Sequence, residues 1–208
     1  MADDYFSNFL ANFFNLRYGV LQREVGWHIA ILCHHVKVTS DLLLTHLDYT
    51  AWASRRLVDA AQQLTPEELT RDFGTSDHSV LGTLVHVFAA DRVWLCRVTG
   101  SPVPARFVEP EKDMHLAVLQ TEWPELLDRW KNWAAGITNT SAVISYRDMK
   151  GNAYESKVWQ IVLHLVNHAT HHRGQAAGFL RTMGHTPPVL DLIAYHRQLP
   201  QGQLPQGG

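Results

Sequence analysis

The stretch that decides the fold is KVWQIVLHLVNHATHHRGQAAGFLRTMG, residues 157–184. Its apolar residues recur every three or four positions, which predicts one long amphipathic helix from about Lys157 to Met183, and Gly184 is a natural residue to end it. The same stretch carries His164, His168, His171 and His172. At 100° per residue all four fall within an arc of about 100°, so geometry alone does not choose among them. His168 and His172 stand at i and i+4, where two imidazoles project side by side and can share one divalent ion. An HxxxH pair is weak evidence by itself, since a solvated face of a histidine-rich chain produces the same pattern.

Working outward from this helix, three more long helices are predicted. The first runs from about Ser40 to Gln63, capped by Ser40 or Asp41, with Leu42, Leu43, Leu47, Trp52, Leu57 and Val58 roughly at helical spacing. "LTPEEL" reads as a helical turn with Thr65 as cap and Pro66 in its first turn. The second long helix covers Val80 to Val98 and stops at "GSPVP"; the third covers Lys112 to Ala135. "VISY" and "AYES" flank a Lys150-Gly151-Asn152 turn, which predicts a small β-hairpin before the last long helix. "VLDLIAYHR" reads as a short closing helix. The fold class is therefore all-α, a four-helix bundle with one small hairpin.

The 208 residues fit one domain with extensions. The domain is placed at 38–198, because "VTSDLLL" looks like a natural opening, and 199–208 reads as a disordered tail rich in Gln, Pro and Gly. Residues 1–37 are aromatic-rich without a clean pattern. They read either as an N-terminal appendage or as an extra helix packed on the bundle or a partner.

Composition excludes several classes. A net charge of −2 gives no electrostatic footprint for nucleic acid or an anionic membrane. "VGWHIAILCHHV" is too short and too polar to span a bilayer, and "MADD" is acidic where a secretory signal is basic. Cys33 and Cys96 are too few and too distant for a disulfide framework, which points to a reducing, cytoplasmic setting. Thirteen histidines are the compositional oddity.

A metal site on one helix needs a ligand from another. His86 in "LGTLVHVFAADRVWL" is surrounded by apolar residues, and Gly82, Ala89, Ala90 and Val93 on its face leave room beside the ring. Alone, it reads better as a core histidine hydrogen-bonded to a carbonyl. Facing an HxxxH pair across a bundle, it reads as a third ligand. Asp91 lies about 140° round the helix from His86 and reads as a surface or inter-helix ion pair. Arg173 and Gln175 could hold an anionic or amide group of a ligand, or serve structural bonds. Gly174 within a helix suggests a close helix crossing.

"HSVLGTLVHVFAADRVWLCRVTG", followed some eighty residues later by "HLVNHATHHRGQAAGFLRTMGHTPPVLDLIAYHR", resembles the DinB-like (DinB/YfiT) family, as does "LDYTAWASRRLVDAAQQL" in the first helix. The resemblance covers residues 38–198. It implies a four-helix bundle, usually dimeric, in which three histidines bind a divalent metal, and it carries over onto His86, His168 and His172. His164 and His171 match positions where the family often has polar residues but not its usual ligands. Zinc or nickel leads among the ions that suit such ligands, with iron and manganese also compatible.

The resemblance further implies a metal-dependent enzyme such as a thiol S-transferase, in which the metal activates a low-molecular-weight thiol against an electrophilic small molecule. A non-catalytic, stress-associated metal-binding dimer is the alternative. Metal-dependent hydrolysis is a third, weakened because neither ligand helix offers a nearby Asp or Glu base. No side chain stands out as a catalytic residue in its own right.

Overall fold

The computed structural model describes residues 38–199. The expectations for residues 1–37 and for the tail beyond Leu199 lie outside that range. Seven helices and one hairpin follow in order: α1 Ser40–Ala61, α2 Pro66–Leu69, α3 Val80–Thr99, α4 Pro110–Asp113, α5 Leu116–Ala135, β1 Val143–Arg147, β2 Ala153–Lys157, α6 Val158–Thr182 and α7 Leu192–Gln198.

Local chemistry sets the ends of these elements. The cap of α1 is Thr39 rather than Ser40 or Asp41: Thr39 is extended, and its hydroxyl accepts from the Leu42 N–H at 3.2 Å, whereas Ser40 is already helical. Thr65 and Glu68 form the reciprocal capping box that starts α2. Ser79 caps α3 by accepting from the Gly82 N–H, and Gly100 ends it in the left-handed region at φ +67°.

The third long helix begins at Leu116, not Lys112. Asp113 draws the chain out of line by accepting from the Glu109 N–H at 2.8 Å and pairing with Arg92 of α3, and His115 is extended. The preceding residues form the separate turn α4. The hairpin pairs Val143 with Lys157 through Arg147 with Ala153, antiparallel. Asp148 organises its turn by accepting from the Lys150 and Asn152 N–H groups, and Gly151 takes φ +90°.

The four long helices close into a bundle in which α1 packs on α5 and α6, and α3 packs on the same two. Thus α1 and α3 lie diagonally across the bundle. Leu43, Leu47, Leu57, Leu84, Phe88, Trp123, Trp130, Ile161 and Leu165 are all within 1% of full burial and form one continuous core. Each such side chain contributes roughly 1.5–3 kcal/mol by leaving water. The hairpin packs on α3. Among the described residues no helix is long and apolar enough to cross a membrane.

Candidate metal centre

His86 comes from the middle of α3, and His168 and His172 from the middle of α6. The two helices run antiparallel, so His86 meets the HxxxH pair while Trp94, two turns on, meets His164, with ring centroids 5.3 Å apart. One donor atom from each of His86, His168 and His172 lies within 4.8 Å of the others. His86 Nε2 and His168 Nε2 are 3.0 Å apart. Ions that take imidazole at about 2.0–2.1 Å need their donors at this kind of separation.

The outward nitrogens of two of these rings are held. His86 Nδ1 lies 3.2 Å from Asp77 Oδ1, and His172 Nδ1 lies 2.7 Å from Gln175 Oε1 and 3.4 Å from Asp77 Oδ2. Oxygens of this kind accept, so both Nδ1 atoms carry their protons and the lone pair of each ring lies on Nε2. That is the usual arrangement behind metal-ligating histidines. His168 departs from it, since its Nδ1 is buried without a hydrogen-bond partner.

Electrostatics agree with the geometry. Burial, helped by the neighbouring His172 and His86, pushes the His168 pKa down to about 3, so its ring is neutral at physiological pH. Burial and His86 also lower His172. For Asp77, burial alone would raise the pKa; the hydrogen bond from His86 and the three imidazoles around it outweigh burial and hold it below the usual carboxylate value. His168 thus presents a neutral nitrogen donor, and Asp77 stands as an ionised carboxylate behind His86 and His172.

Asp77 escaped the reading of the sequence. It sits in the loop before α3, and the loop's own turns bring it to the histidines. His78 adopts φ +61°, the Phe73 N–H donates to His78 O, and the Ser79 N–H donates to Asp77 O. Gly82 makes the fold-back possible, because a Cβ there would overlap the Asp77 carbonyl oxygen. A glycine in the first turn of a predicted helix, five residues after an aspartate, was the available signal. On the other side of His86 stands Phe107, with ring centroids 5.2 Å apart. Its segment is held by Arg92, which donates to Phe107 O and both Asp113 oxygens.

The remaining candidates fall outside the three-nitrogen group. His164 is turned toward Trp94, and His171 is exposed. Arg173 is 1% exposed and structural: it donates to Ser54 and Thr170 and lies over the Tyr49 ring. Gln175 orients His172. Gly174 marks no helix crossing, because a Cβ there would meet open space. Asp91 is not at the surface and makes no ion pair. It is fully buried and accepts from Trp123 Nε1–H at 2.8 Å.

Comparison with known proteins follows the geometry. A family model described as the DinB family matches residues 34–203. Protein DinB of Bacillus subtilis (strain 168) is similar at 19% identity over 162 residues, which span 75% of this chain and 94% of that protein. The crystal structure of a DinB-like protein from Bacillus cereus ATCC 10987 matches with a TM-score of 0.54 at 17% identity, over 72% of this chain and 95% of that one. At that identity the structural likeness is one of fold.

Proposed function

The chain belongs to the DinB family, and from that premise we propose that it binds a divalent metal through His86, His168 and His172 and acts as a metal-dependent thiol S-transferase on small electrophiles. The observation that carries the reading is the convergence of three imidazole donors from two helices, two of them oriented from behind by Asp77 and Gln175.

A divalent ion held there would acidify a thiol or a water and polarise a carbonyl. The protein's own residues do the rest. Three nitrogen donors leave at least one coordination position for a ligand from solution, as catalytic zinc sites do. The His86 side chain is 26% exposed, so the site is open to such a ligand. Phe107 gives His86 an apolar neighbour, with ring centroids 5.2 Å apart.

Asp77 faces the Nδ1 atoms, on the side of the rings away from the converging nitrogens, so it orients ligands and does not abstract a substrate proton. That placement favours an external thiol nucleophile over hydrolysis by a protein base. Three imidazoles suit zinc or nickel first, and iron or manganese also.

The test is to measure bound metal in the purified protein and in His86→Ala, His168→Ala and His172→Ala, then assay thiol conjugation to generic electrophiles. Each variant should lose most of the metal and the activity together. Full metal occupancy in all three would sink the site. Bound metal with no turnover across several thiols would leave a metal-binding protein without catalysis.

A further inference from the structure

Three turns of α3 beyond His86 stands a cation with no ion-pair partner among the described residues. Arg97 lies over the Trp94 ring at 4.5 Å and over the Tyr146 ring of β1 at 5.3 Å. Its Nε is buried without an acceptor, and among the described residues no carboxylate lies within 4.0 Å of it. Asp148 of the hairpin turn pulls on it only from beyond that distance, its oxygens accepting from the Lys150 and Asn152 N–H groups and the Asn152 side-chain amide. Burial depresses the Arg97 pKa from its ordinary value, against the pull of Tyr146 and Asp148. A guanidinium that is partly desolvated, stacked and unpaired has met the cost of ordering without the bond that would repay it.

Its position gives that bond a use. Residues 86 and 97 are eleven apart, which returns to within about 20° of the same line along a helix. Between them an unbroken row of rings leads to the metal centre. Trp94 meets His164 at 5.3 Å, and His164 meets His168 at 5.8 Å. Tyr146 closes on Trp94 at 4.9 Å and holds its own hydroxyl against Ser156. By lying over Trp94, the residue one turn earlier, the Arg97 guanidinium leans toward the histidines, as long helical side chains do. The spacing from guanidinium to histidine nitrogens is then on the order of 10 Å.

We propose that Arg97, backed by Trp94 and Tyr146, is an anion subsite that takes the carboxylate of an extended small-molecule thiol whose sulfur lies at His86, His168 and His172. The proposal rests on the metal-centre reading for the place of the sulfur, and on Arg97 alone for the anion. Arg97 is a binding residue here. A purely structural role, stacking the hairpin on α3, would give no preference for an anion.

The experiment uses the full chain with its metal content measured. Calorimetric titrations compare mercaptooctanoate with mercaptooctanol and mercaptopropionate with mercaptopropanol. The long acid should bind about tenfold or more tightly than its alcohol, the worth of one charge-assisted contact. Any preference within the short pair, whose carboxylate can chelate the metal but not reach Arg97, should be unchanged by Arg97→Gln. Arg97→Gln should bring the long pair to parity, and Arg97→Lys should retain part of the preference, which guards against a misfolded variant. Octanoate against octanol, in wild type and in His168→Ala, reads the anion contact without thiol or metal. If that preference persists when metal and thiol dependence are absent, the subsite stands and the metal reading fails. If metal and thiol bind but Arg97→Gln leaves the ratio unchanged, the subsite is overturned and the metal centre stands.

Discussion

Asp91 shows how one buried carboxyl sets a pH dependence for the whole bundle. Burial raises its pKa from 3.8 to about 7, against the hydrogen bond from Trp123 and the charge of Arg173. Between those two values the folded protein binds a proton that the unfolded chain has released. The Asp91 contribution is therefore full below about pH 4, falls as pH rises to about 7, and is constant above that. Three units correspond to at most about 4 kcal/mol. Urea denaturation of wild type and Asp91→Asn across this range should show the difference moving in favour of the asparagine as pH rises. A difference that does not change with pH would mean that Asp91 is ionised in the fold. None of this was legible in the sequence. An angle of about 140° from His86 says which way Asp91 points, not that Trp123 and Trp130 of α5 cover it. Asp77 was hidden for a related reason. Its link to His86 depends on a turn with a positive φ at His78, and a turn has no periodicity to read. The histidines were legible because a helix converts spacing into direction.

Among the elements, the connection from α3 to α5 depends on one buried ion pair. Arg92 holds Asp113 through two bonds of 2.9 and 2.7 Å, with Asp113 wholly buried and Arg92 14% exposed. Removing one partner leaves the other charge without compensation, which in buried pairs costs about 3–5 kcal/mol. Asp113→Ala is expected to lose about 3 kcal/mol in urea denaturation. Hydrogen exchange should speed up over residues 101–113, because Arg92 loses the partner that fixes the guanidinium from which Phe107 O accepts. Unchanged exchange there would show that the segment is held by other contacts. This pair also explains why the start of α5 was misread. The run from Lys112 onward has helical composition, and only the tertiary pull on Asp113 breaks it into a turn and a helix. Elsewhere the chain carries its own stops and starts. Thr65, the stop at Gly100 and the Lys150-Gly151-Asn152 turn act on neighbours within a few residues, so their positions could be read directly.

At the scale of the molecule, the proposed metal centre should act as a clasp on the bundle. Its ligands lie on α3 and α6, a packed pair whose apolar periodicity was plain in the sequence, although which helices are neighbours was not. His86 and His168 meet nitrogen to nitrogen at 3.0 Å. These groups gain from a ligand that only the folded arrangement can bind. An ion at about a thousandfold its Kd stabilises the fold by about 4 kcal/mol. For a bundle of this size each kcal/mol moves Tm by roughly 2–4 °C, so saturating zinc should raise Tm by about 10 °C and a chelator should reverse it. His86→Ala removes the ligand that joins the two helices and leaves the HxxxH pair intact. Its Tm should respond weakly to zinc, because two imidazoles on one helix hold an ion only weakly and do not tie α6 to α3. An equal rise in this variant would mean that stabilising ions bind elsewhere, and that the convergence of three histidines is packing without a metal.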